Sequence, residues 1–69
     1  MRSSEKIIRS FMVKDNSLDE WYFENEAMLK RDMTIEEEEK YVKEITQKCI
    51  ERMRDCKMSL EEAYMDLMY

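Results

Sequence analysis

The sequence predicts a small all-α protein, a bundle of three to four helices with one long helix, forming a single domain over residues 1–69. Three observations carry this prediction. Gly and Pro are both absent, helix-start motifs recur, and apolar residues follow a helical period. Tight hairpin turns rely on those two missing residue types, so their absence disfavours a sheet. A chain of 69 residues buries only a thin core, and such chains often need self-association or a partner.

The helix starts are marked by one motif that occurs three times, at Ser17–Glu20, Thr34–Glu37 and Ser59–Glu62. In this capping box a hydroxyl accepts from the amide three residues on, and the glutamate at that position accepts from the cap amide. Each copy therefore predicts a helix that begins there. We expect a further helix from about Ser4 to Val13, where apolar residues share one face.

The apolar period assigns a buried face to each predicted helix. The helix from Ser17 ends near residues 30–31 and is predicted to bury Leu18, Trp21, Tyr22, Asn25, Met28 and Leu29. The long helix covers about residues 34–57, with a stripe of Ile35, Val42, Ile45, Cys49, Met53 and Cys56. The last helix is predicted to bury Leu60, Ala63, Tyr64, Leu67 and Met68.

Catalytic and metal chemistry are not expected from this sequence. There is no His to act as a general base near neutral pH, and no nucleophile motif, phosphate loop or dinucleotide fingerprint occurs. Cys49 and Cys56 lack the spacing of zinc ligands, and we predict that both are core thiols. We therefore expect a protein that is not an enzyme and holds neither a metal nor a cofactor.

Charge and hydropathy bear on nucleic acid binding, on membrane insertion and on the cellular compartment. Its net charge of −5 disfavours direct binding to nucleic acid phosphates. No apolar run is long enough to span a membrane, and Arg9 interrupts the apolar pair Ile7 and Ile8 where a signal peptide would need continuity. Two unpaired cysteines and no export signal lead us to expect a cytoplasmic protein.

Several apolar residues do not fit the buried faces, and they suggest a contact surface. Trp21, Tyr22 and Phe23 are consecutive and so spread over much of one helix, which directs Phe23 outwards. Single exposed apolar residues are ordinary. Eight Met and seven aromatic residues in so short a chain nevertheless suit an adaptable interface. The predicted partner-binding residues are Trp21, Phe23, Met65 and Tyr69, with Glu24 and Glu26 on an acidic rim.

These observations favour a non-catalytic protein-binding module that regulates or inhibits another macromolecule, in the manner of small accessory proteins of phages and mobile elements. Two alternatives remain open. The acids at Asp19, Glu20, Glu24, Glu26 and 36–39 could imitate a nucleic acid and occupy the groove of a target enzyme, although acids in first turns also simply stabilise helices. The chain could instead be a structural homodimer that has no other partner.

Overall fold

The computed structural model describes residues 3–69, which form four α-helices in which no strand occurs. They are α1 (Ser3–Lys14), α2 (Ser17–Leu29), α3 (Ile35–Cys56) and α4 (Leu60–Met68). The predicted all-α bundle with one long helix is confirmed. No described helix combines the length and the apolar character needed to cross a membrane.

The connections between helices are short and take left-handed backbone conformations without glycine. Asn16 has φ 67° between α1 and α2, and Lys30 and Lys57 have φ 58° and 55° just after α2 and α3. The left-handed region is the usual way to end a helix, and glycine is its preferred occupant. Here an asparagine and two lysines take this conformation, so the absence of Gly did not prevent sharp reversals.

Two of the three predicted capping boxes are confirmed. The hydroxyls of Thr34 and Ser59 accept from the amides of Glu37 and Glu62, and both glutamates return a carboxylate to the cap amide. The box predicted at Ser17 is wrong. Asn16 is the residue that precedes α2, and Ser17 already lies within the helix.

The core lies where α3 packs against α1 and α4, while α2 packs against α1. Arg9 of α1 and Tyr22 of α2 both reach Glu38 of α3, so α2 folds back beside α1. The largest of the fully buried side chains are Ile8, Met12, Val42 and Cys49. The other members of the core are Leu18, Ile45, Ala63 and Tyr64.

The predicted buried faces are wrong at helix ends. Ile35 is 70% exposed and Cys56 is exposed, although both lie on the apolar stripe of α3. Met28 and Leu29, at the end of α2, are also exposed. For α3 the physical reason is length. Its 22 residues span about 33 Å, and neither α1, with 12 residues, nor α4, with 9, matches that length alone.

Candidate functional site

The junction between α1 and α2 is organised by the carboxylate of Asp15. One of its oxygens accepts from the amide of Ser17 at 3.0 Å. The other accepts from the hydroxyls of Tyr64 at 2.7 Å and Tyr69. The hydroxyls of Ser17 and Tyr64 also lie 3.3 Å apart. Ser17, the first residue of α2, thus contacts α4 through its side chain.

These hydrogen bonds stabilise the charge of the junction. Burial raises the pKa of Asp15, but the hydrogen bonds from Tyr69, Ser17 and Tyr64 outweigh it and lower the pKa to about 2. Burial is the main reason that the pKa of Tyr64 is raised. The hydrogen bond to Asp15 raises the pKa of Tyr69. Near neutral pH, Asp15 is therefore a carboxylate that accepts from two neutral phenols.

Within residues 3–69, Tyr69 lines three depressions. The largest, of about 710 Å³, lies at the α3–α4 connection and has no other aromatic residue in its wall. Of the two that do, the first, which we call the acidic depression, has a volume of about 260 Å³ and lies between α2, α3 and α4. Three of its wall residues are aromatic and three are acidic: Trp21, Tyr41, Tyr69, Asp15, Glu20 and Glu24. The rings of Trp21 and Tyr41 are stacked, with centroids 5.0 Å apart and planes at 9°.

The second depression, which we call the α1–α4 groove, has a volume of about 320 Å³. Phe11 and Tyr64 form part of its wall, with ring centroids 5.2 Å apart. Met65 and Tyr69 also line it, together with one basic side chain, Lys14, and two acidic ones, Asp15 and Glu61. This groove is therefore mainly apolar, and its charged residues are of both signs.

Four of the six predicted contact residues meet at these depressions. Trp21 and Glu24 line the acidic depression, Met65 lines the α1–α4 groove, and Tyr69 lines both. Tyr69 is 74% exposed and Met65 is 51% exposed. Trp21 is only partly exposed, because its ring also packs against the core. We call this region, on both sides of Tyr69, the Tyr69 surface.

The other two predicted contact residues lie elsewhere. Phe23 is 75% exposed, and five residues of helix place it about 140° around α2 from buried Leu18. The carboxylate of Glu26 accepts from the amide of Met33 at 2.9 Å and so holds the connection to α3. Neither residue lines the two depressions.

Part of the acidic surface predicted for a nucleic-acid mimic is used within the fold. Glu37 accepts from both terminal nitrogens of Arg31 and from the amide of Thr34. Glu38 pairs with Arg9 and accepts from Tyr22. The acids of that set that stay exposed are Asp19, Glu20, Glu24, Glu36 and Glu39. They are spread over two helices.

Sequence reasoning missed Asp15, Phe11 and Tyr41 as parts of this region. Asp15 is predicted to lie in a turn, and Tyr41 lies beside the apolar stripe of α3 rather than on it. No local pattern connects Trp21 to Tyr41, twenty residues later, because their stacking depends on how α2 meets α3. The one available signal was the excess of aromatic residues over the number that the predicted core required.

In the part of the chain from Ser3 onwards, no group of three or more acidic or Cys side chains is placed to hold a metal ion. Comparisons with known protein families, with curated proteins and with solved structures found no match for this chain.

Proposed function

We propose that this chain is a non-catalytic protein-binding module that regulates or blocks another macromolecule through the Tyr69 surface. The observation that carries the proposal is the exposure of Tyr69 and Met65, at 74% and 51%, beside two depressions with aromatic walls. Exposed apolar groups around a concave surface are typical of a protein interaction site. Tyrosine and tryptophan are also the side chains most often found at the energetic centre of an interface.

The Tyr69 surface is held in place before any partner arrives. The hydroxyls of Tyr64 and Tyr69 are tied to Asp15, and the ring of Trp21 is stacked on Tyr41. A side chain that is already ordered loses less conformational entropy on binding. Met65 stays adaptable in the same region, because its unbranched side chain fits irregular shapes. This combination favours recognition of a folded or helical partner.

The proposal is tested by capture of proteins from the native host with the wild-type chain and two matched variants. Met65→Asp places a charge in the α1–α4 groove. Ile35→Asp places the same charge at an apolar position that is 70% exposed and lies on another part of the molecule. We expect a partner that is retained by the wild type and by Ile35→Asp, and lost by Met65→Asp. Circular dichroism should show equal helix content in all three proteins.

Loss of the partner in Ile35→Asp with retention in Met65→Asp would refute the Tyr69 surface. Capture with Phe23→Asp then tests whether the outer side of α2 belongs to the same interface, as the sequence predicts. Sedimentation of the isolated chain at micromolar concentration distinguishes a foreign partner from a second copy, since self-association through this surface would appear as a dimer that Met65→Asp dissociates.

A further inference from the structure

Three aromatic rings line the acidic depression, together with Met68 and Ser17. Trp21 and Tyr41 are stacked on each other, and Tyr69 is largely in water. Aromatic rings carry negative charge on their faces and attract cations that lie within about 6 Å of the ring centre. The walls alone therefore favour a flat or cationic group over an aliphatic one.

The charges around the same depression have one sign. Asp15, Glu20 and Glu24 line it, and no basic side chain is among the residues that do. Burial raises the pKa of Tyr41, and the charges of Glu24 and Asp15 raise it further, so the negative field reaches the aromatic wall. The α1–α4 groove differs, because Lys14 there faces the acids.

We infer that the acidic depression binds an arginine side chain of the protein partner, with the guanidinium against the aromatic rings that line it and its charge met by Glu20 and Glu24. This inference rests on the proposed function, since it names the chemical group by which the partner is held. Arginine fits better than lysine because its planar guanidinium stacks on rings and offers several donors to carboxylates at once.

The experiment is a titration followed by nuclear magnetic resonance. Trp21 is the single Trp of the chain, so its indole N–H gives one unambiguous signal from the wall of the depression. The probes are N-acetyl-arginine amide and N-acetyl-citrulline amide, which have nearly the same shape but differ in charge. We expect a saturable shift of the Trp21 signal with the arginine probe and no saturable shift with the citrulline probe.

Two double variants identify the carboxylates that act. Glu20→Gln with Glu24→Gln removes two charges from the depression, and Glu36→Gln with Glu39→Gln removes two charges from exposed positions on α3 that do not line it. We expect binding of the arginine probe to weaken about fivefold or more in the first double variant. The second should stay within about twofold of the wild type, as expected for screened, distant charges.

Equal weakening in both double variants would overturn the inference, because the probe would then respond only to net charge. A saturable shift with citrulline, or no shift with arginine, would overturn it as well. The proposed function is judged separately. Met65 does not line the acidic depression, so Met65→Asp should lose the partner while it still binds the arginine probe. If Met65→Asp loses the partner but the arginine probe causes no saturable shift of the Trp21 signal in the wild type, only this inference fails.

Discussion

Helices α3 and α2 are built in different ways. α3 begins with a capping box made by its own residues, Thr34 and Glu37, and buries a regular stripe against α1 and α4. α2 begins after left-handed Asn16 without a side-chain cap. It packs against α1 and reaches α3 mainly through the rings of Trp21 and Tyr22. The start of α3 is therefore decided locally. The start of α2 combines a local bond, from the Ser17 amide to Asp15, with the contacts that the distant Tyr64 and Tyr69 make to the same carboxylate.

This difference bears on function. α3 directs one apolar stripe into the core and so supports the other helices. The apolar side chains of α2 point in several directions, so that some of them stay exposed. Trp21 and Glu24 line the acidic depression from α2, and Phe23 lies exposed on its outer side. The residues proposed for binding thus lie largely on α2, near the end of α4 and at the α1–α2 junction, and α3 supplies Tyr41 and the core behind them.

The largest expected effect compares two isoleucines on α3. Ile45 belongs to the core, whereas Ile35 is 70% exposed on the same helix. We expect Ile45→Ala to lower the free energy of unfolding by about 3 kcal/mol through lost burial and a residual cavity. Ile35→Ala should change it by less than about 0.5 kcal/mol. Urea unfolding followed by circular dichroism measures both, and equal losses would mean that the stripe is covered along its whole length.

The second effect is the pH dependence of the free energy of unfolding, to which Asp15 at the start of α2 and Glu37 at the start of α3 contribute separately. The pKa of Asp15 in the folded chain lies near 2, below its ordinary 3.8. Its stabilising contribution is therefore complete above about pH 4 and is lost as the pH falls through about 2. We expect Asp15→Asn to remove about 1 kcal/mol of this acid-sensitive stability, after allowance for solvent screening.

The control for Asp15 is Glu37, at the start of α3. Its pKa is also lowered to about 2, first by the hydrogen bond from Arg31 and then by that from Thr34. The Asp15→Asn chain should therefore keep the part of the acid dependence that comes from Glu37. Unfolding free energies measured from pH 5 to pH 2 that run parallel in wild type and Asp15→Asn would show that the junction does not titrate with folding.

The smallest effect compares the hydroxyls of Thr34 and Ser17, both of which the sequence predicts to be in capping boxes. Thr34→Ala removes a capping bond and should destabilise the chain by about 1 kcal/mol. Ser17→Ala removes the contact with Tyr64, at 3.3 Å, and the side-chain interaction that helps to lower the pKa of Asp15. We expect a loss of less than about 0.5 kcal/mol, because the amide of Ser17 still donates to Asp15. Thermal unfolding of the two variants provides the comparison. A larger loss for Ser17→Ala would mean that this hydroxyl stabilises the junction more than a local cap stabilises α3.

The sequence by itself determined the all-α class with one long helix, the starts of α3 and α4, and the outward position of Phe23, Met65 and Tyr69. These features follow from capping chemistry and helical periodicity, which act between residues a few positions apart.

Only the tertiary structure decided which predicted faces are covered and which side chains meet. Ile35 and Met28 lie on apolar faces but extend beyond their neighbours. Asp15, Tyr64 and Tyr69 meet across about fifty positions of sequence. Periodicity determines the direction in which a side chain points from its helix. The lengths and crossing of the other helices determine what lies there, and a pattern within one helix does not encode them.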